Sequence, residues 1–222
     1  SEDVAGVILA SAIGSEPAID DLLAANIPVV AIDRQIDNQK IDSVLVTNIK
    51  GAHAAVSHLL ELGHRCIGFI GLPLTRTPGQ ERYDGYRQAL KQHGLPISKD
   101  FVHIADAKQQ GGYDSTYDLL TQQPCVTALF VANNLMTLGA LEAIHQRGLE
   151  IPNDISIIGF DDMPWASLLQ PPLTAIAQPT YEIGQRAADL LLGRLKERNR
   201  PVAHEYLETR LIVRGSTAAP RH

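Results

Sequence analysis

Two polar pairs each follow an apolar run: Asn133-Asn134 after residues 126–132, and Asp161-Asp162 after residues 155–159. Arg76 and Arg82 lie six residues apart behind a further apolar run, 66–70. Asp33-Arg34 follow the run 29–32, and Gln178 follows the extended stretch 174–177. A carboxylate offers only acceptors, a guanidinium only donors, and an amide both. Such groups suit charge-assisted recognition of vicinal hydroxyls on a sugar or the N–H groups of a base. They do not suit catalysis. Asp161 and Asp162 are adjacent, whereas a glycosidase pair must flank a bond from opposite sides. No H-E-x-x-H, G-x-S-x-G or glycine-rich phosphate loop occurs. Eight histidines show no metal spacing, and His53 and His58 miss the shared i, i+4 face. We expect a binding protein that is not an enzyme and carries no cofactor and no metal.

The elements that must position these groups follow from the apolar periodicity. Strands are expected at 4–10, 29–32, 44–46, 66–70, 102–105, 126–132, 155–158, 174–177 and 205–213. Helical spacing occupies 17–25, 50–62, 79–92, 112–121, 134–146 and 181–196, with Gly63 marking a C-terminus. Residues 164–169 read as a turn or short helix, and the unbroken apolar run 4–10 as a strand covered on both faces. Alternation of strands and helices implies right-handed crossovers and a parallel α/β sheet with helices on both faces. In such sheets ligands bind beyond the carboxyl ends of the strands, where all these polar groups fall.

The chain has 222 residues, 45% hydrophobic and 20% charged, enough for one large domain or two small ones. No apolar run reaches the roughly eighteen residues of a membrane span. A net charge of −6 argues against this segment gripping nucleic acid. Cys66 and Cys125 read as buried free thiols, compatible with a reducing, cytoplasmic setting. Residue 1 opens directly into a strand pattern, so the natural start is expected upstream.

The run Pro152-x-Asp154-Ile155-Ser156-Ile157-Ile158-Gly159-Phe160-Asp161-Asp162, followed by Pro171-Pro172-Leu173-Thr174 and Gln178-Pro179, resembles the effector-binding domain of the lactose/galactose repressor family. So do Ile27-Pro28-Val29-Val30 through Asp33-Arg34, Gly63-His64-Arg65, Arg82-x-x-Gly85-Tyr86 and Arg214-Gly215-Ser216. The resemblance implies two similar open parallel-sheet lobes joined by three crossings, as in periplasmic binding proteins. The lobes would be residues 3–46 with 180–206, and 48–177 with 208–216. The family's helix-turn-helix and first two βα units are absent from this chain, which would leave the strand 4–10 at an open sheet edge. A homodimer is implied, with operator DNA bound only through the missing N-terminal domain. A sugar-binding protein of a transporter is the alternative that shares this fold.

Carried over, the resemblance places the effector, a small polar molecule such as a sugar, in a cleft between the lobes. Arg82 would bind ligand oxygens, against a surface role paired with Asp84 or Asp106. Arg76 is a further candidate. Asp161 would face the ligand while Asp162 caps or supports the turn. Asn133 would bind while Asn134 caps the helix, and Gln178 and Asp33 would complete the set. Ala107 stands where relatives often have an aromatic ring, leaving Tyr113, Phe160 or Trp165 to compensate.

Overall fold

The computed structural model describes residues 4–10, 16–36 and 41–221. Asp3, the expected start of the first lobe, lies outside the described residues. In chain order the elements begin β1 (Val7–Ala10), α1 (Glu16–Ala24), β2 (Val29–Ile32), β3 (Asp42–Val46), α2 (Asn48–Glu61), β4 (Ile67–Gly71), α3 (Thr77–Gln92) and β5 (Val102–Ile104). They continue α4 (Gln109–Gln122), β6 (Ala128–Val131), α5 (Asn134–Gln146), β7 (Ser156–Phe160), β8 (Thr174–Ala177), α6 (Thr180–Lys196), β9 (His204–Leu207) and β10 (Arg210–Ile212). The chain forms two compact units, Ser1–Thr47 with Pro179–Glu208, and Asn48–Gln178 with Thr209–His222.

The first unit is a four-stranded sheet, order β1-β2-β3-β9, with every pairing parallel. Consecutive residues of β2 serve opposite faces. Val29 and Ala31 pack with Ile19 of α1, while Val30 and Val44 pack with Ala187 and Leu190 of α6. β1 does not follow the expectation of cover on both faces. It is an edge strand whose exposure alternates, and Ile8 is 41% exposed.

An ion cluster ties β3 to the end of α6. Asp42, fully buried, accepts from Arg194 Nε and Nη2 at 3.0 and 2.7 Å, from Arg200 Nη2 at 2.7 Å and from the Ala203 amide at 2.8 Å. A buried carboxylate is stable only with such complete satisfaction.

The second unit is a six-stranded sheet, order β10-β8-β7-β6-β4-β5, parallel except for β10. Helices α2 and α3 cover one face through Ala55, Val56, Leu59 and Tyr86. Helices α4 and α5 cover the other through Leu119, Met136 and Ala140. The second pair crosses at backbone contact: a Cβ on Gly139 would meet the Gln109 carbonyl at 1.9 Å. The expected single strand at 205–213 is two. β9 pairs with β3, the chain passes between units after Glu208, and β10 pairs with β8. Alternation persists through the switch because each piece is half-buried on its own sheet.

His64 secures the end of the chain. Its Nε2 donates to the Ala218 carbonyl at 2.8 Å, which leaves Nδ1 to accept from the Thr127 hydroxyl at 2.8 Å. Both cysteines are free, but neither is fully buried: Cys66 is half-buried, and Cys125 is exposed because it lies in the turn before β6.

Two predictions follow from these buried groups. Asp42→Ala leaves two guanidinium groups without their carboxylate and should lower unfolding free energy by about 3–5 kcal/mol in urea denaturation. Burial holds His64 and His58 below the ordinary histidine value of 6.5. The unfolded chain therefore takes up protons first as pH falls, so the stabilisation is complete above about pH 6.5 and is lost below it. A urea series across pH should show this decline, and His64→Gln should make it shallower.

Candidate functional site

The strand order of the second unit decides which polar groups become neighbours. Along its carboxyl-terminal edge, β8, β7, β6 and β4 present Gln178, Asp161, Asn133 and the loop carrying Arg76, with strands roughly 5 Å apart. Residues from four separate stretches of sequence are thus aligned in one row. Ala107 follows β5 at the end of that row.

Asp161 ends β7 with a left-handed backbone, φ +79°. Its amide donates to the Ile176 carbonyl at 2.9 Å, and its carboxylate accepts from the Gln178 amide. Asp162 turns away. It forms a two-bond pair with Arg214 at 2.7 and 2.8 Å, and Arg214 also donates to the Leu173 carbonyl. It caps nothing, since the 3₁₀ turn Pro164–Leu168 begins after Met163 with no side-chain cap.

Asn133 is the N-cap of α5: its extended backbone brings Oδ1 to 2.9 Å from the Met136 amide. The expectation that Asn134 caps this helix is therefore corrected. Asn134 instead bonds the Leu135 amide and the Met163 sulfur. Asn133 keeps its Nδ2 amide hydrogens as the donors it can offer a ligand.

Arg82 lies beneath the row and is 2% exposed. Its Nε donates to Asn48 Oδ1 and its Nη1 to the Ala132 carbonyl, both at 2.8 Å, and the guanidinium carbon stands 3.6 Å over the centre of the Phe160 ring. The surface pairing with Asp84 or Asp106 is not found: Asp84 bonds Gln80 and Arg87, and Asp106 bonds Lys108. Asn48 also donates to Glu81 at 2.9 Å. Burial pushes the Glu81 carboxyl up, with the Asn48 bond and the Arg82 charge opposing. Arg76, at the start of α3, has a buried Nε with no acceptor among the described residues. A buried donor in that state costs about 1–3 kcal/mol.

Phe160 is fully buried under Arg82, so it offers a ligand no face. Tyr113 bonds Gln146 and stacks on Tyr117, so it is engaged between α4 and α5. Trp165 packs partly buried in the core under α4 and α5. Ala107, which has φ +69°, packs partly buried against the same cluster as Trp165. In the first unit Asp33 is exposed, directly after β2, with φ +72°.

Residues 56–217 match the periplasmic binding protein-like domain family. A LacI-family transcriptional regulator from Enterococcus faecium with bound ribose superposes with a TM-score of 0.87 and 30% identity, covering 98% of this chain and 81% of that one. This chain belongs to the LacI family. The LacI-family reading is reinforced by the complex of transcriptional regulator CelR with cellobiose, at TM-score 0.89 and 34% identity over 96% of this chain and 65% of that one. The HTH-type transcriptional repressor PurR of Pasteurella multocida is 36% identical over 198 residues, 88% of this chain and 59% of its own. The ribose operon repressor of Haemophilus influenzae is 34% identical over 194 residues, 87% of this chain and 58% of its own. The chain thus spans less than two thirds of these curated relatives.

Within this LacI-family effector domain two participants were not singled out from sequence. Asn48 looks like an ordinary helix-start residue and Arg214 like part of a terminal motif. Only their contacts with Arg82 and Asp162 reveal them.

The contacts separate two arginines by experiment. Arg82→Ala strips the Ala132 carbonyl and Asn48 of a partner and should lower the melting temperature by several degrees. Arg76→Ala removes a buried unpaired donor, so thermal stability should hold or rise while effector affinity falls. Asp161→Asn tolerates the left-handed backbone and should keep the melting temperature while weakening effector binding about ten- to a hundred-fold in calorimetry.

Proposed function

We propose that this chain is the ligand-sensing core of a bacterial transcriptional regulator. A small polar effector, most simply a monosaccharide, is held at the carboxyl-terminal edge of the second unit's sheet by Asp161, Gln178, Asn133 and Arg76, with Arg82 supporting them from below. Asp33 occupies the equivalent edge of the first unit's sheet. The observation that carries this reading is the row itself. Acceptor, amide and guanidinium groups stand on adjacent strand ends, with a buried Arg76 Nε that has no acceptor among the described residues.

A sugar is favoured because Asp161 and Gln178 form one acceptor–donor pair, which matches vicinal hydroxyls that each donate and accept. The neighbours solved with ribose and cellobiose support a carbohydrate. Binding then works through different affinity for two arrangements of the regulator. That difference reaches operator DNA through a helix-turn-helix in the full-length protein, which acts as a homodimer. A transporter's sugar-binding protein is not favoured, since the relatives are transcriptional repressors.

Thermal-shift screening of the 222-residue chain against monosaccharides and nucleobases should yield a stabilising compound, and calorimetry should give one site per chain. If a nucleobase stabilises and no sugar does, the sugar assignment fails while the site assignment stands. The chain alone, with net charge −6, should not retard operator DNA at physiological salt. Sequence-specific retardation by this segment would overturn the division of labour proposed here.

A further inference from the structure

The first unit contains a cavity of about 500 Å³ beside the Asp42 ion cluster and apart from the effector row. It lies where Pro28 enters β2 and Val202 leads into β9, the amino-terminal edge of the sheet, whereas Asp33 stands at the opposite edge. One wall is apolar, built by Leu23, Ile27, Pro28 and Val202. The other carries Arg194, Arg198 and Arg200. No acidic side chain lines it among the described residues.

The arginines are positioned by a template. Arg194, buried, donates to the carbonyls of Arg198, Arg200 and Pro201, so the turn 198–201 is wound around its guanidinium. Arg200 is held by Asp42 and by the Leu190 carbonyl, yet its Nε is buried with no acceptor among the described residues. Arg198 is exposed and bonds only a neutral group, the Asn26 carbonyl at 3.1 Å. Arg194 and Arg200 share one carboxylate, Asp42, and Arg198 adds a third guanidinium to the cavity wall. The surplus is two positive charges beside a concave apolar wall.

We propose that this cavity is an anion site that takes a phosphate-bearing small molecule, distinct from the effector row. The phosphate accepts from Arg198 and Arg200, and the remainder of the ligand lies against Ile27, Pro28 and Val202. A dianion matches the local surplus of two, and guanidinium forks fit phosphate oxygens in pairs. The cavity accommodates a phosphate with a few carbon atoms attached. Free phosphate and a phosphate ester share the recognition chemistry, and the apolar wall separates them.

The test is amide NMR of the 222-residue chain titrated with inorganic phosphate, with glycerol 3-phosphate and, at matched ionic strength, with sodium chloride. Saturable shifts at residues 26–28 and 197–202 with either phosphate compound, and none with chloride, are expected. Tighter binding of glycerol 3-phosphate identifies an ester ligand, and equal binding identifies the free anion. Arg198→Gln should weaken binding about five-fold while leaving the melting temperature and effector affinity unchanged. Arg200→Lys keeps a positive charge facing Asp42 but removes Nε, and should weaken it as well. The proposal is overturned if shifts fail to saturate, if they fall at residues 76–82 and 161–178 instead, or if Arg198→Gln binds phosphate as tightly as the parent. Failure in any of these ways leaves the effector reading untouched, because Asp161, Gln178, Asn133, Arg76 and Arg82 lie in the other unit and Asp33 at the opposite edge of the first unit's sheet.

Discussion

One buried guanidinium organises the site edge of the second unit. Arg82 can stay charged in the interior only because its donors reach Asn48 and the Ala132 carbonyl and its face rests on Phe160. Those partners are the first residue of α2, the residue before Asn133 and the residue before Asp161. The two strand ends that carry the site are therefore pinned to a common cation. Without it, the Ala132 carbonyl and the Asn48 side chain would each lose a donor in a dry interior. Arg82 thus fixes the Asn48 side chain and the Ala132 carbonyl at the base of that edge.

Backbone conformation adds a second constraint. Among the described residues, left-handed non-glycine positions include Asp33, Ala107 and Asp161, each just beyond the carboxyl end of a strand. Such a conformation costs about 1–2 kcal/mol for an ordinary L-residue. It is retained where the fold needs a strand to stop and turn a side chain or amide outward. At Asp161 the surrounding bonds show how it is held: the amide is fixed to Ile176 and the carboxylate to Gln178. These positions follow strands in both units, while Asn26, the remaining case, simply closes helix α1.

The two units solve the same architectural problem with different interactions. The second has apolar clusters on both faces of a six-stranded sheet, and its helices approach to backbone contact at Gly139 and Gly85. The first has four strands and smaller clusters. It places a buried carboxylate and two arginines at the amino edge of its sheet, where the second unit has the His64–Thr127–Ala218 chain. Charge at that edge gives the first unit a cationic surface that a purely apolar core would lack.

Much of this was legible in the residues alone. Apolar runs of four to seven residues separated by 3.6-residue periodicity determine a parallel α/β fold, because both signals report burial directly. The helix at Asn134–Gln146 and the strand at Thr174–Ala177 coincide with the expected bounds for that reason. The polar residues after the strands of the second unit were also legible as an edge, since parallel strands all end on one side. Three things were decided only by tertiary structure. Which of two adjacent asparagines caps α5 depends on a backbone angle rather than composition. That Asp162 belongs to Arg214, fifty-two residues away, depends on β10 returning beside β8. The apolar run at β1 is half-exposed because burial depends on what packs above a strand, and hydrophobicity does not encode its partner. Local period is a property of neighbours in sequence; hydrogen-bond partnership and edge exposure belong to neighbours in space.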